Sequence, residues 1–438
     1  MAGARVLEDA RRAAGAERTA DAERAADAER TPDAERTADA RVLTREAVES
    51  TFHGERAVVL QWGNLQATVL PKVGANLVSF RDVTRGFAFL HEPGADEMDD
   101  FRQKPYLYGT PVLFPPNRYD GGTFTYAGKR VQLPVNEEAT GTHLHGFLYD
   151  FPWEVTDFGS NCAESYVVLS AEVYETHPLY AQWPFCFTVE LRYELSESGL
   201  AQHISVRNDG DDMMPCLIGF HTAFNAPFAD HGDAQRRSAE RVGAERGDVE
   251  RVGAEDYRCR VSIGDRWELD DRGLPTGVKL PLTAYELALR DEGAYPFALP
   301  MDNHYTALAQ NGYNRMELWD IRSGVTLVYD VGPSFRQWMF WNHNGEPGFF
   351  CAEPQVNVVN APNLVSVRNF GDAASMIDAS SVVDVANFGV ASNGVNATRA
   401  VNDRKAGLTA DEIGLIPVRP GEVWEAHSRL YVRDGGFE

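Results

Sequence analysis

Apolar and polar residues alternate with a period of two over much of this chain. The clearest run covers residues 185–195, where Phe187, Val189 and Leu191 are separated by polar side chains. Such alternation predicts a strand with one buried face. The same pattern predicts further strands at residues 65–70, 324–331, 337–341 and 424–432.

No long amphipathic helix is predicted anywhere in the sequence, and the short strands are separated by turns rich in Gly, Pro and Asn. This arrangement predicts an all-β fold, namely a large antiparallel β-sandwich or a barrel. Folds of this class usually bind ligands on one concave face or at the loops that border it. We therefore expect the functional site on such a face.

Three segments depart from the strand pattern. Residues 1–42 include four copies of a hexapeptide similar to Ala-Glu-Arg-Thr-Ala-Asp, which offers no large apolar side chain, so we interpret them as a solvated tail. Residues 233–256 repeat with a period of five and predict a surface insert. Residues 365–405 are rich in Ala, Ser, Val, Asn and Asp and predict a second insert, with either local helix or two extra strands. Apart from these inserts, residues 43–438 predict one β-sandwich domain.

Composition narrows the range of partners. The chain has 438 residues, 43% of them hydrophobic, and a formal net charge of -24 at pH 7. This charge repels polyphosphates and anionic lipid surfaces, so we expect no nucleic-acid partner and no membrane partner. A neutral or cationic small molecule fits the charge better, and the sequence leaves both a monomer and a homodimer open.

The cysteines and the apolar segments indicate the cellular compartment in which the protein works. The five cysteines are odd in number and widely spaced, which argues against a disulfide framework or a structural zinc site. No apolar stretch approaches the roughly 18 residues of a spanning helix. The first residues also lack the apolar segment of a secretion signal. Together these features predict a cytoplasmic protein.

Three short segments carry the candidate chemistry. His145 lies in Gly-Thr-His-Leu-His-Gly, His221 in Gly-Phe-His-Thr-Ala-Phe-Asn, and Glu353 in Ala-Glu-Pro-Gln. Two imidazoles and a carboxylate can supply the acid and the base of a paired proton transfer. On its own, His221 would be interpreted as a hydrogen-bonded core histidine. Glu353 follows an apolar run, where a carboxylate must be paired or functional to offset its desolvation.

His143 and His145 allow a second interpretation. At positions i and i+2 of a strand they would face the same side, as in metal-binding double-sheet β proteins of the cupin type. Those proteins place a glutamate three or four residues later, where this chain has Leu148 and Tyr149. A metal-dependent enzyme that uses this histidine pair is therefore the weaker alternative.

Taken in order, these segments resemble the aldose 1-epimerase (galactose mutarotase) family. The resemblance covers about residues 50–435, apart from the two inserts. It departs from the family at Thr222-Ala223, where the family more often has Pro-Tyr. Further matching segments are Pro115-Pro116-Asn117-Arg118, Asp302, Glu353-Pro354-Gln355 and Gly414-Leu415-Ile416-Pro417.

The resemblance implies a galactose-mutarotase-like β-sandwich, also called a supersandwich. It implies reversible interconversion of the α and β anomers of a free aldose, without a metal or an organic cofactor. By the same resemblance, Glu353 is the base on the anomeric hydroxyl and His221 is the acid at the ring oxygen. The residues that would hold sugar hydroxyls are Asn117, Arg118, His145 and Asp302.

The residue types agree with this chemistry. Opening a hemiacetal ring removes a proton from the C1 hydroxyl while the ring oxygen gains one, and Glu and His can perform both transfers near neutral pH. A non-catalytic carbohydrate-binding protein on the same fold would be expected to lack the acid or the base. A phosphosugar epimerase would need an arginine-rich pocket. Aromatic residues that either pack in the core or stack on a sugar are Trp62, Phe224, Trp319, Trp338 and Trp341.

Overall fold

Antiparallel strands dominate the backbone. The computed structural model describes residues 44–229, 256–364 and 408–437. The predicted tail at 1–42 and the predicted insert at 365–405 lie outside these residues, as does the insert at 233–256 apart from Asp256. Within them the chain forms 27 strands, numbered here in chain order. The prediction of an all-β antiparallel fold is confirmed.

Three large sheets contain most of the strands. Sheet I has five strands in sequential order: β1 (Arg45–Phe52), β2 (Glu55–Trp62), β3 (Leu65–Leu70), β4 (Asn76–Asp82) and β5 (Phe87–Ala88). Sheet II has eight strands in the spatial order β11 (Glu154–Ser160), β12 (Ser165–Val173), β13 (Phe187–Ser196), β14 (Gly199–Asn208), β27 (Val423–Asp434), β23 (Val325–Asp330), β22 (Arg315–Asp320) and β18 (Tyr257–Val261). Sheet III has the order β20 (Pro275–Leu280), β19 (Ile263–Leu269), β21 (Asp302–Ala307), β24 (Gln337–Trp341), β25 (Gly348–Gln355), β16 (Gly219–Phe220) and β6 (Val112–Leu113), and β17 (Ala223–Ala226) also pairs with β25.

The remaining elements are short. Two-stranded ladders join β7 (Arg118–Asp120) to β10 (Thr142–Leu144), β8 (Thr123–Tyr126) to β9 (Lys129–Gln132), and β15 (Met214–Cys216) to β26 (Ile416–Val418). The α-helices are α1 (Met98–Gln103), α2 (Ala284–Asp291) and α3 (Ala361–Leu364), and 3-10 turns occupy Pro105–Leu107, Pro178–Ala181 and His343–Gly345. In the described part of the chain, no helix has the length and apolar character needed to cross a bilayer.

The alternating pattern located the strands closely. Strands β3 and β24 begin and end where predicted, while β23 and β27 differ from the prediction by a few residues at their ends. Strand β13 begins at Phe187, two residues late, because the N–H of Phe185 bonds locally to the carbonyl of Trp183. Along β13, Val189 and Leu191 are buried and Glu190 is exposed, as a strand with one core face requires.

Sheets II and III pack against each other through aromatic side chains. Tyr329 of β23 lies 5.7 Å from Phe224 and 6.5 Å from Trp338 of sheet III, measured between ring centroids. On β25, Phe350 and Ala352 are fully buried on the core face of sheet III. Because side chains alternate along a strand, Glu353 lies on the opposite face of β25.

Asn76, the first residue of β4, holds a loop against sheet I. Its Nδ2 donates to the carbonyl oxygens of Tyr108 (2.9 Å) and Pro105 (3.4 Å), and its Oδ1 accepts from the N–H of Thr110 at 2.9 Å. Gly109 has a φ of +64°, and a Cβ there would approach a backbone oxygen of β4 within 2.4 Å. Since Asn76 is fully buried, its amide fixes the position of this loop.

We expect Asn76→Leu to destabilise the protein by about 1–3 kcal/mol, because buried backbone groups of the loop lose their partners. Urea unfolding followed by circular dichroism would measure the loss. The matched control is Gln103→Leu, the same kind of change at an exposed position. Equal stabilities for the two variants would contradict the role of Asn76.

Candidate functional site

The centre of the site lies where sheet III is interrupted between β16 and β17. Both strands keep the same register with β25, and His221 lies between them, across from Glu353. The N–H of His221 donates to the carbonyl oxygen of Pro111 at 3.1 Å, and the carbonyl of Thr222 accepts from the N–H of Ala352 at 3.2 Å. These two backbone hydrogen bonds fix the segment between β16 and β17, so that the side chains of His221 and Glu353 come into contact.

Glu353 is a buried carboxyl group with two polar neighbours. Its Oε1 lies 3.2 Å from Nε2 of His221, and its Oε2 accepts from Nε2 of Gln355 at 3.3 Å. Only 1% of Glu353 is exposed. Burial raises the pKa of Glu353 to about 8, and the negative charge of Asp302 adds to this shift, while the bond from Gln355 and the charge of Arg118 lower the pKa.

The pKa of His221 shifts in the opposite direction. Burial disfavours the imidazolium and lowers the pKa of His221 to about 4. Between pH 4 and pH 8 the His221–Glu353 pair therefore holds a single exchangeable proton. One partner can then accept a proton while the other can donate one.

The rings of His145 and Tyr106 pack beside the His221–Glu353 pair. The ring of His145 lies edge-on to His221 with 4.9 Å between centroids, and Tyr106 lies 4.9 Å from His145 and 6.0 Å from His221. Burial lowers the pKa of His145 well below its usual value, so this ring is neutral near pH 7. The Nδ1 atoms of His145 and His221 are buried and have no hydrogen-bond partner among the described residues.

The backbone around His145 depends on left-handed residues. The ladder of β7 and β10 ends where the N–H of His145 donates to the carbonyl of Asn117 at 2.9 Å. Asn117 and His145 have φ values of +57° and +69°, so neither continues its strand. Gly146 follows with φ +73°, and a Cβ there would lie 2.1 Å from the carbonyl oxygen of Phe114. Asn117 uses its Oδ1 to accept from the N–H of Arg118 at 2.8 Å.

Arg118 interacts with two carboxylates, by hydrogen bonds with Glu137 and at a longer distance with Asp302. Its Nε and one terminal nitrogen donate to Glu137 at 2.7 and 2.9 Å, and its Nη1 lies 3.8 Å from Oδ2 of Asp302. Glu137 also accepts from the hydroxyls of Thr140 (2.6 Å) and Thr142 (2.9 Å). The bonds from Arg118 are the main reason that the pKa of Glu137 falls to about 2. Glu137 therefore fixes the guanidinium and compensates its charge.

The interpretation of His143 and His145 as alternate residues of one strand is wrong. Strand β10 ends at Leu144, and the positive φ of His145 turns its side chain out of the alternation. Nδ1 of His143 lies 2.6 Å from the carbonyl oxygen of Pro134, and its Nε2 lies 3.2 Å from that of Gly146. No cluster of three or more His, Cys, Asp or Glu side chains that could hold a metal ion occurs among the residues the structure describes.

The predicted site residues fall into two contacting groups. His145, His221 and Glu353 form one group, and Arg118 and Asp302 form a charged group whose field acts on Glu353. Asn117 lies in the turn that leads into Arg118 and shapes the backbone there.

Three residues of the site were given no role from the sequence, although Gln355 lies in one of the matching segments. Gln355 had a usable signal, because a residue two positions after Glu353 on a strand lies on the same face. Glu137 lies in a polar turn, where a carboxylate is normally solvated, and nothing in its spacing marks it. Tyr106 is brought to the imidazoles by the loop that Asn76 fastens, a tertiary contact without a local pattern.

Comparison with known proteins agrees with the family resemblance that the sequence motifs indicated. The model of the aldose 1-epimerase family matches residues 56–367. YihR, an uncharacterized protein of Escherichia coli (strain K12), is 29% identical over 168 residues, which are 38% of this chain and 49% of that protein. The match thus spans about half the length of this relative.

Solved structures share the fold over nearly the whole chain. A galactose mutarotase-like protein from Clostridium acetobutylicum is 25% identical, with a TM-score of 0.71 over 90% of this chain and 99% of that one. A GalM/aldose epimerase homologue from C. elegans is 16% identical, with a TM-score of 0.57 over 85% of this chain and 97% of that one. Because the family match extends over well more than half of its residues, this chain belongs to the aldose 1-epimerase family.

Proposed function

We propose that this protein is an aldose 1-epimerase that interconverts the α and β anomers of an uncharged free aldose. The observation that carries the proposal is the buried Glu353–His221 pair, with 3.2 Å between Oε1 and Nε2. An acid and a base in contact, with pKa values moved apart by burial, are what the ring opening of a hemiacetal requires.

The proposed reaction starts from the form of the pair in which the single proton lies on His221, which burial makes the minor form, and in it the ionised Glu353 removes the proton of the C1 hydroxyl. The bond between C1 and the ring oxygen breaks, and the imidazolium of His221 protonates that oxygen, which gives the open-chain aldehyde. Rotation about the C1–C2 bond presents the other face of the carbonyl. Ring closure then reverses both proton transfers and yields the other anomer, with no net change in the enzyme.

The charges near the site support an uncharged substrate. The charge of Arg118 acts on Glu353, and this charge is compensated by the two hydrogen bonds from Arg118 to Glu137. A phosphorylated sugar would need an uncompensated cation. In the proposal, Arg118, Asp302 and His145 bind sugar hydroxyls, and Glu137 positions Arg118.

We expect Glu353→Gln and His221→Asn each to lower kcat by about 10²–10⁴-fold, because each removes one partner of the paired transfer. The double variant should be little worse than either single variant if the two residues act as a unit. Polarimetry of freshly dissolved α-glucose and α-galactose would measure the rates. Glu190→Gln makes the same change at an exposed position of β13 and serves as the control. Sugar binding without any turnover by the unaltered protein would favour a carbohydrate-binding protein instead.

The pH profile of kcat/KM should be a broad bell with limbs near pH 4 and pH 8. Below the lower limb both groups are protonated and no base remains, whereas above the upper limb the pair has lost its last proton and no acid remains. Rates from pH 3.5 to 9.5, corrected for spontaneous mutarotation, would test this. An alkaline limb close to the ordinary histidine pKa would show that burial does not set the proton content of the pair.

Exhaustive treatment with EDTA should leave the mutarotation rate unchanged, because the proposed proton transfers use only Glu353 and His221. The measurement is the polarimetric rate before and after chelation and dialysis. A loss of activity that a divalent metal restores would contradict the proposed mechanism.

A further inference from the structure

Two histidines contact each other on the outer face of sheet II. His203 of β14 lies directly opposite His427 of β27, and these are the two central strands of the sheet. The next residues along the two strands, Ile204 and Ser428, are buried. Because side chains alternate along a strand, both imidazoles point away from the core. The side chain of His203 is 37% exposed, and His427 is exposed.

The two rings face each other through the same ring atom. Nδ1 of His203 lies 2.5 Å from Nδ1 of His427, and the ring centroids are 4.7 Å apart. On the other side of the first ring, Nε2 of His203 lies 3.3 Å from Oε2 of Glu194 on β13. A carboxylate beside one imidazole nitrogen favours a proton on that nitrogen and leaves the lone pair on the other. The lone pair of His203 is therefore directed at His427.

Two imidazole nitrogens in this arrangement need a positive centre between them. If both Nδ1 atoms present a lone pair, they repel each other, and either a proton or a metal ion removes the repulsion. Imidazole nitrogen is a preferred ligand of Zn²⁺ and Cu²⁺. Tetrahedral Zn²⁺ would hold the two nitrogens about 3.3 Å apart, so the rings would have to separate by about 0.8 Å. Small rotations of two surface side chains are enough for this.

The charges around the histidine pair favour a cation. Carboxylates outnumber arginines among the charged residues of this face that lie nearest to the pair, which are Glu190, Arg192, Glu194, Asp330, Glu425 and Arg429. Arg192 is itself paired with Glu194 and Glu164. The net charge of -24 adds an attraction for cations over the whole molecule.

We propose that His203 and His427 form a binding site for a divalent transition-metal ion such as Zn²⁺ or Cu²⁺, which bridges β14 and β27. Both Nδ1 atoms are ligands, and water completes the coordination because two protein ligands leave positions open. The histidines are 224 residues apart in the chain, so the ion binds the folded form rather than the unfolded form. Metal binding therefore stabilises sheet II.

The ion would have no part in the proposed proton transfers. His203 and His427 lie on the outer face of sheet II, whereas Glu353 lies on the face of sheet III that points away from the core. Both sheets separate the two sites. The expected resistance of mutarotation to chelation and the proposed metal site are therefore compatible.

Titration of the chelated and dialysed protein with Zn²⁺ in a calorimeter tests the site. We expect one binding event that disappears in His203→Gln and in His427→Gln. The control is His53→Asn, which removes an exposed imidazole from a turn where φ is +48°, a conformation that Asn tolerates. With Cu²⁺, the electron paramagnetic resonance spectrum of the unaltered protein should show coupling to two imidazole nitrogens. A Zn²⁺ titration that is the same in both Gln variants, or coupling to fewer than two nitrogens, would overturn the site.

Urea unfolding with and without Zn²⁺ tests the stabilisation. At a free Zn²⁺ concentration of 100 times Kd, the equilibrium constant for unfolding should fall about 100-fold in the unaltered protein. The same Zn²⁺ concentration should leave the constant of His427→Gln unchanged. Unfolding curves without metal establish that each variant is folded, and His203→Gln provides the same comparison if His427→Gln does not fold. Binding that requires both histidines but does not change the unfolding constant would overturn the bridge between the strands.

Discussion

The burial of a carboxyl group in the middle of sheet III is the constraint to which the rest of the site is fitted. Glu353 is desolvated, and its direct partners are an imidazole and a side-chain amide rather than a cation. Arg118 is near enough to influence Glu353, yet its hydrogen bonds go to Glu137. A direct bond from Arg118 would hold Glu353 ionised and make it a weak base. The separation of these two carboxylates lets one remain a permanent anion while the other keeps a pKa that suits proton transfer.

The proton content of the Glu353–His221 pair has a consequence for the proposed reaction. Ring opening moves one proton from His221 to the sugar and one from the sugar to Glu353, so an ion pair becomes a neutral pair. Burial favours neutral forms of both groups. The same desolvation that disfavours the starting ion pair therefore stabilises the enzyme in the open-chain state, which is the intermediate common to both anomers.

The sequence predicted the positions of the strands better than it predicted which side chains of different strands come into contact. Strands β3 and β24 were located to the residue because alternation is a local property of a half-buried strand. The opposition of His221 and Glu353 depends on strand register across more than a hundred residues, which no local pattern specifies. Family resemblance supplied that pairing as an expectation.

His145 and Glu137 show why the rest was not predictable. Alternation assumes that a strand continues, whereas β10 ends at Leu144 and is followed by the left-handed backbone of His145. Glu137 lies in a turn, where a carboxylate is ordinarily solvated. Its role becomes evident only from its ion pair with Arg118 in the structure. Both cases are tertiary effects that override a correct local reading.

The position of β27 in sheet II has a consequence for the order in which the molecule assembles. This strand, residues 423–434, is inserted between β14 and β23, and it pairs residue 203 with residue 427. Closing so long a loop costs entropy before any pairing energy is gained, and folding slows as such non-local contacts accumulate. Until β27 arrives, sheet II is two separate halves, each with an open edge that can pair with another chain. The partly folded molecule is therefore open to misassociation at the centre of sheet II as well as at its rim.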